Sequence, residues 1–159
     1  MPNFNQSTRN MMESMVLGLR VDRATAVPPQ TGVQVLFNVE VGRVLVNLIL
    51  GVVTTVIGNV ATIMHMQSNP DTGTTTDMCL AALGLDIDSL EAGTLLTISG
   101  TAGDAMQAGS SGSVIGQAAP VVVAPGAIEI ETDASCGTGS IQWSIWYVPL
   151  ETGAYVTAA

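Results

Sequence analysis

The chain has 159 residues, of which 47 % are hydrophobic and only 11 % are charged, against about 25 % charged in a typical soluble domain. All four basic residues are arginines and the formal net charge is −9. This balance excludes nucleic-acid binding through a basic surface, which requires clustered positive charge. The absence of lysine excludes Schiff-base catalysis and a lysine phosphate loop. The length predicts one domain.

The charges are unevenly distributed along the chain. The first 43 residues carry four arginines and three acids, whereas residues 44–159 carry ten acids and no base. This asymmetry predicts an N-terminal segment whose neighbours differ from those of the acidic body, although acids also keep a body soluble. The shortage of charge predicts that partner subunits cover part of the surface. A monomer coated with neutral polar side chains is the alternative.

The N-terminal region, residues 1–26, is predicted to be an arm that precedes a β-rich body, residues 27–159. Residues 1–10 are polar and irregular, and no secretory signal follows them, so synthesis in the cytoplasm is expected. A short amphipathic helix is predicted within residues 11–20, where five apolar residues recur at helical spacing and are expected to act as core filler: Met11, Met12, Met15, Val16 and Leu19. Pro28 and Pro29 then break the chain.

The segment 33–66 is predicted to form two or three strands. Residues 33–41 alternate with the period of two that is typical of a strand. Residues 44–66 carry no charge when His65 is neutral, and this run is long enough to span a bilayer as a helix. Its many Val, Ile and Thr residues favour strands instead, with a break near Gly51 or Gly58.

Turn and strand signals alternate through the rest of the chain. Residues 69–73 predict a turn and residues 94–98 a strand, whereas residues 100–116 predict a long loop. Residues 127–135 and 141–148 alternate again and are joined by a Gly-Thr-Gly turn, which predicts a β-hairpin, and residues 154–157 predict a last strand. The fold class expected from these signals is all-β. The specific expectation is an antiparallel β-sandwich or jelly-roll-like barrel with an N-terminal arm and at most one short helix.

Groups that could support catalysis or bind a metal are few. His65 is the only histidine and lies in an apolar stretch, where a packed side chain is expected. Cys79 and Cys136 have no basic sequence neighbour that would lower a thiol pKa, so buried free thiols are expected. The acidic stretch 86–91 lacks the spacing of a calcium loop, which favours a solvated turn. We therefore predict no enzymatic activity, no cofactor and no metal site.

Three carboxylates follow one face of the segment 127–135, about 7 Å apart from the rise of a strand: Glu129, Glu131 and Asp133. One interpretation is an exposed, solvated sheet face. The other is that arginines from the arm of an adjacent subunit meet this acidic stripe.

The two tryptophans, Trp143 and Trp146, lie on opposite sides of their strand. One is predicted to fill the core, and the other fits a subunit interface. Stacking on a sugar is the alternative, in a chain with only six aromatic residues. The predicted interface residues are Phe4, Arg9, Arg20, Arg23, Glu129, Glu131, Asp133 and Trp146.

Two stretches resemble small virion proteins of tailed bacteriophages: residues 69–79 (NPDTGTTTDMC) and residues 120–159 (PVVVAPGAIEIETDASCGTGSIQWSIWYVPLETGAYVTAA). The similar features are an apolar V-V-V-A-P-G lead-in, a strand, a short T-G-S turn, and a strand that ends W-x-x-x-Y-V-P-L. The resemblance implies a capsid decoration, or cement, protein. Such proteins commonly sit as trimers on the outside of the shell and reinforce contacts between major capsid subunits. It implies no catalytic residues.

The expected partners are accordingly other copies of the chain, as a homotrimer, and a major capsid protein, with no nucleic acid and no membrane. The expected location is the outer capsid surface of a virion, since an acidic body suits the outside of a shell better than its DNA-lined interior. The alternatives are a ligand- or glycan-binding β module, a tail, neck or fibre-base subunit with a similar sandwich, and a small membrane protein.

Overall fold

The computed structural model describes residues 6–79, 84–110 and 112–159, which form two packed β-sheets and one short helix. The helix is α1 (Gln6–Val16). The strands are, in chain order, β1 (Leu19–Asp22), β2 (Gly32–Glu40), β3 (Val44–Thr55), β4 (Ile63–Pro70), β5 (Thr76–Asp77), β6 (Leu85–Asp86), β7 (Leu95–Thr97), β8 (Gln107–Gly109), β9 (Val121–Val123), β10 (Gly126–Thr132), β11 (Ser140–Pro149) and β12 (Tyr155–Ala158).

Both sheets are antiparallel. The first has the order β1-β11-β3-β7-β8, and β9 also pairs with β3. The second has the order β12-β2-β10-β4-β5, and β6 also pairs with β4. The predicted all-β sandwich with one short helix is therefore confirmed. The described part of the chain has no helix with the length and apolar character that crossing a membrane requires, and the uncharged run 44–66 forms β3 and the first half of β4.

The core lies between the inner faces of the two sheets, and Trp143 is its largest fully buried side chain. Trp143 of β11 stands opposite Gly51 of β3 in the strand register. A Cβ atom at Gly51 would lie 2.8 Å from the indole ring, so glycine makes room for the tryptophan. Gly51 is thus within a strand, and the expected break falls between Thr55 and Ile63, around Gly58.

The predicted C-terminal hairpin is wrong, because its two strands lie in different sheets. β10 pairs with β2 and β4, whereas β11 pairs with β1 and β3. Residues 133–139 cross from one sheet to the other, with Cys136 buried and with Gly137 and Gly139 at φ angles of 73° and 108°. Alternation identified both strands correctly, but a period of two does not say which strand is the partner.

The N-terminal region is more ordered than the sequence suggested. α1 begins at Gln6, so residues 6–10 are helical rather than irregular. Leu19–Asp22 pairs with β11 as strand β1, and the predicted arm boundary at residue 26 therefore falls beyond a strand of the first sheet. Edge pairing of this kind depends on backbone groups, which a side-chain pattern does not reveal.

The predicted loop 100–116 contains strand β8. In the segment after β8, the side chain of Gln117 forms hydrogen bonds with strand β3 of the first sheet. β3 pairs with β9 through residues 44–46 and with β7 through residues 50–52. Between these pairings the amide of Gln117 accepts a bond from the Ile49 N–H (3.3 Å) and donates to the Val46 carbonyl (3.0 Å). This side chain thereby replaces backbone partners that the sheet lacks at this point.

Candidate functional site

A cluster of polar side chains covers the outer face of the second sheet across β5, β4 and β10. The register places Glu129 opposite Gln67 and Glu131 opposite His65, with Asp77 on the other side of Gln67. These residues alternate with core residues, so their side chains share the outward face. We call this group the outer polar cluster; its members are His65, Gln67, Asn69, Asp77, Glu129 and Glu131.

Glu129 is the most buried carboxylate of the outer polar cluster, with only 5 % of its surface exposed. It accepts hydrogen bonds from the side-chain amides of Gln67 (3.0 Å) and Asn69 (3.2 Å). The side-chain Oδ1 of Asn69 in turn accepts a bond from the Thr75 hydroxyl (3.2 Å). The expected solvated stripe is therefore wrong for Glu129, because the amides that surround this carboxylate replace water.

The other two residues of the predicted stripe differ from Glu129. Glu131 has a side chain that is 42 % exposed. Asp133 is exposed and accepts a bond from the backbone N–H of Ile63 (2.7 Å), which ties the end of β10 to β4. The three carboxylates thus have separate partners within the chain, and only Glu131 and Asp133 remain accessible to a neighbouring subunit.

His65 lies between two carboxylates of the outer polar cluster. Its Nε2 atom is 3.6 Å from Glu131 Oε2 and 3.9 Å from Asp77 Oδ1, and its side chain is 11 % exposed. Both distances exceed ordinary hydrogen-bond length. In residues 6–79, 84–110 and 112–159, no group of three or more His, Cys, Asp or Glu side chains could hold a metal ion. The arrangement links three strands electrostatically when His65 is protonated.

The two cysteines are buried free thiols, as the sequence predicted. Burial raises the pKa of Cys79 and also that of Cys136. A thiol with a raised pKa holds little thiolate at neutral pH, and only the thiolate is a good nucleophile. Both cysteines therefore act as small core side chains.

The acidic stretch 86–91 forms a turn that uses its own carboxylate as a cap. Asp86 Oδ1 accepts bonds from the backbone N–H groups of Thr62 (3.2 Å) and Asp88 (3.0 Å). The predicted turn is confirmed, and the side chain of Asp86 stabilises it through these two hydrogen bonds.

A second surface is formed by α1, β1 and β11 around Trp146. Its indole N–H donates to Glu13 Oε1 (2.5 Å), and the guanidinium of Arg20 lies 4.9 Å from the ring centroid. Only 7 % of Trp146 is exposed. The two tryptophans do lie on opposite faces, as predicted, but the chain's own N-terminal region covers Trp146. This residue is therefore not an open platform for a sugar ring.

The arginines described by the structure interact mainly with their own chain. Arg20 pairs with Asp22 (2.8 Å) and more distantly with Glu13 (3.7 Å), and Arg43 Nε donates to Glu151 (2.6 Å). The Arg43 contacts lower the pKa of the Glu151 carboxyl.

Arg23 differs from these two arginines. Its Nε and Nη1 atoms are buried without a partner among the described residues, and burial lowers its pKa. Phe4 and the side chain of Arg9 lie outside what the structure describes. The pairing of arm arginines with a neighbour's acidic stripe stays a prediction.

Asp22 holds strand β1 to the sheet, and its ionisation should make this edge sensitive to acid. Partial burial alone would raise the pKa of this carboxyl, but hydrogen bonds from Ser144 (2.5 Å) and Arg20, with the charge of Arg20, lower it overall. A carboxyl with a lowered folded-state pKa stabilises the fold above its unfolded-state pKa, and that stability is lost as the pH falls through the folded-state pKa.

We therefore expect hydrogen exchange in β1 to accelerate as the pH falls below about 4, after correction for intrinsic exchange rates. Asp22→Asn should lack this acid-dependent step. An unchanged step in Asp22→Asn would assign the effect to another carboxyl.

α1 turns a polar side towards the body and its apolar side outward. Glu13 contacts Trp146, and the carbonyl of Leu17, just after α1, accepts a bond from the Asn47 side chain (2.9 Å). Four apolar side chains of the helix are 51–79 % exposed, and we call them the α1 apolar face: Met11, Met12, Met15 and Val16. The expectation that these residues and Leu19 fill the core is wrong, because all five are at least 48 % exposed. A surface helix normally buries such a stripe against its own body.

Comparisons of the chain with protein-family models, with curated proteins and with solved structures found no match.

Proposed function

We propose that the chain is a structural virion protein of a tailed bacteriophage, an outer capsid decoration or cement protein that binds and stabilises the major capsid shell. The two stretches that resemble such proteins supply strands of both sheets. Residues 69–79 contain the end of β4 and strand β5, and residues 120–159 contain β9 to β12. The resemblance therefore concerns the framework of the sandwich and not a peripheral loop.

The observation that carries the proposal is the apolar character of the surface. Fifteen large apolar side chains in the described part of the chain are at least 39 % exposed, four of them on the α1 apolar face. A contiguous exposed apolar patch marks a site that another protein covers. The side chains of the α1 apolar face are neighbours at helical spacing and form such a patch. Such a surface is typical of a subunit of a permanent assembly, because the partner subunits remove its apolar groups from water.

The polar groups support a structural role as well. The carboxylate of Glu129 is already bonded by two amides, and Asp22, Asp86, Asp133 and Glu151 all bind groups of their own chain. These side chains stabilise strands and turns. They are not arranged as a nucleophile with an adjacent base, which covalent catalysis requires.

A glycan-binding module is less well supported, because such modules stack sugars on exposed aromatic rings. Among the aromatic residues that the structure describes, Tyr155 is the only one with more than a third of its surface exposed, at 44 %. Trp146, the sequence candidate for such stacking, is covered by Glu13 and Arg20.

The proposal predicts that purified protein binds to phage shells from which it has been removed. Added to such shells, the chain should co-sediment to saturation and raise the temperature at which the shells release their DNA. Shells that retain their own decoration protein are the control and should bind no more. Equal binding to both shells, or binding to isolated tails but not to shells, would contradict a capsid role.

A further inference from the structure

One series of polar contacts ties α1 and β1 to the same stretch of β11. It begins at Ser144 of β11, whose hydroxyl donates to Asp22 Oδ1 (2.5 Å). Arg20 donates to the same carboxylate through Nε (2.8 Å), and its Nη1 lies 3.7 Å from Glu13 of α1. Glu13 accepts a bond from the indole N–H of Trp146, which returns the series to β11. Arg20 therefore connects the carboxylate that holds β1 with the carboxylate that holds α1.

The link between α1 and β1 lies directly against β11. Gly18 stands in this link with a φ angle of 100°, and a Cβ atom there would collide with the carbonyl oxygen of Tyr147. Glycine adopts such a φ angle without strain and has no Cβ atom to collide. Residues 6–23 thus follow β11 as one continuous segment, which we call the strap.

The strap is attached more weakly than the other long strands of the first sheet. In the described part of the chain β1 pairs with β11 alone, through four residues of which three are exposed. The side chains of Arg20 and Asp22 are each 45 % exposed, and an ion pair between exposed groups contributes little to stability. Segments with few buried apolar contacts open at a lower free energy than the core of the same protein.

Arg23, at the end of the strap, destabilises the closed position. Its Nε and Nη1 atoms are buried and have no hydrogen-bond partner among the residues that the structure describes. A buried donor without a partner raises the free energy of the state that buries it, and opening of the strap returns both donors to water. Ala26 then exchanges two backbone hydrogen bonds with Ile141, so the chain beyond the strap stays attached.

We propose that the strap opens from β11 as one unit while the two sheets stay folded. Arg20 couples α1 to β1, so that neither element opens alone. In the closed position the strap covers the edge of β11 and the ring of Trp146. An unpaired sheet edge is a template for another strand, so the strap acts as a removable cover of this edge. The proposal concerns the single folded chain and does not depend on the proposed function.

Hydrogen exchange of the full chain, followed by mass spectrometry, tests the opening. After correction for intrinsic rates, α1 and β1 should exchange with one common protection, which should be lower than that of β3. Arg20→Ala removes the contacts with Asp22, Glu13 and the ring of Trp146. It should accelerate exchange in α1 and β1 together by at least roughly fivefold and leave β3 unchanged.

Two further variants separate the strap from a general loss of charge. Arg43→Ala removes an ion pair with Glu151 elsewhere on the surface, so it is the matched control and should not change exchange in the strap. Gly18→Ala forces the strap open without removing a charge. It should accelerate exchange in α1 and β1 together, and it should expose one of the two indoles to quenching by acrylamide, because Trp143 stays in the core.

Three outcomes would overturn the inference. Acceleration of β1 without α1 in Arg20→Ala would show that the two elements open separately. Exchange that is the same in Arg20→Ala and in the wild type would show that Arg20 does not couple them. Equal protection of the strap and β3 in the wild type would show that the strap opens only when the whole domain unfolds.

Discussion

Replacement of Trp143 by alanine is expected to lower the free energy of unfolding by about 3–5 kcal/mol. The indole is only 1 % exposed and fills the space left by Gly51 on the neighbouring strand. Its loss leaves a cavity that the two sheets cannot close without moving. Since a domain of this size is stable by about 5–15 kcal/mol in total, the substitution should remove a large part of the stability and lower the urea concentration at the midpoint of unfolding. Urea denaturation followed by circular dichroism measures the change.

Two control variants show whether the effect comes from this packing. Trp146→Ala should detach α1, because Trp146 contacts Glu13 and Arg20 outside the core. The two sheets should still unfold in one cooperative transition. Gly51→Ala should destabilise the wild type, since the added Cβ would lie 2.8 Å from the ring of Trp143. The same substitution should be milder in Trp143→Ala. Additive effects of the two substitutions would show that the ring and the glycine do not pack together.

Glu129→Ala should be the most destabilising substitution in the outer polar cluster. It removes the acceptor of two amides, and the buried amide of Gln67 left without a partner costs about 1–3 kcal/mol. Asn69 is exposed, so its amide can bond water instead. Glu131→Ala is the matched control on the same strand face. Because the Glu131 side chain is 42 % exposed, its loss should change the stability by no more than about 0.5 kcal/mol. Thermal unfolding of the two variants in parallel measures the difference.

The outcome for Glu129 also decides how an acidic stripe can be tested. If Glu129→Ala proves as harmless as Glu131→Ala, the hydrogen bonds to Gln67 and Asn69 contribute little, and the stripe is solvated after all. If it is destabilising as expected, charge reversal at Glu129 would damage the fold itself. Charge reversal at Glu131 is then the cleaner probe of pairing with arginines of another subunit.

The sequence predicted the longer strands of the body well, because alternation and turn residues are local signals, but it missed β1 and β8. β2, β10 and β11 follow the period of two, and the turn after β4 follows an Asn-Pro-Asp-Thr-Gly pattern. The sequence did not predict how strands combine. β10 and β11 were expected to form a hairpin, but they lie in different sheets. Whether the connection between two strands returns to the same sheet depends on the packing of the whole sandwich.

The candidate sites were harder to predict for the same reason. Glu129 is buried by amides that lie 60 and 62 residues away along the chain, and Trp146 is covered by a glutamate 133 residues away. No local pattern contains such partners. The helical spacing of the methionines was visible in the sequence, but spacing alone does not say whether the apolar side of a helix faces its own core or another molecule.

The central claim, that the chain is a shell subunit, is tested most directly by its stoichiometry in purified virions of a phage that encodes it. Quantitative mass spectrometry gives the ratio of the chain to the major capsid protein. A shell subunit should be present at a fixed ratio that corresponds to regular occupation of the whole shell. Absence from the virion, or the few copies per particle that are typical of a tail or neck component, would contradict it.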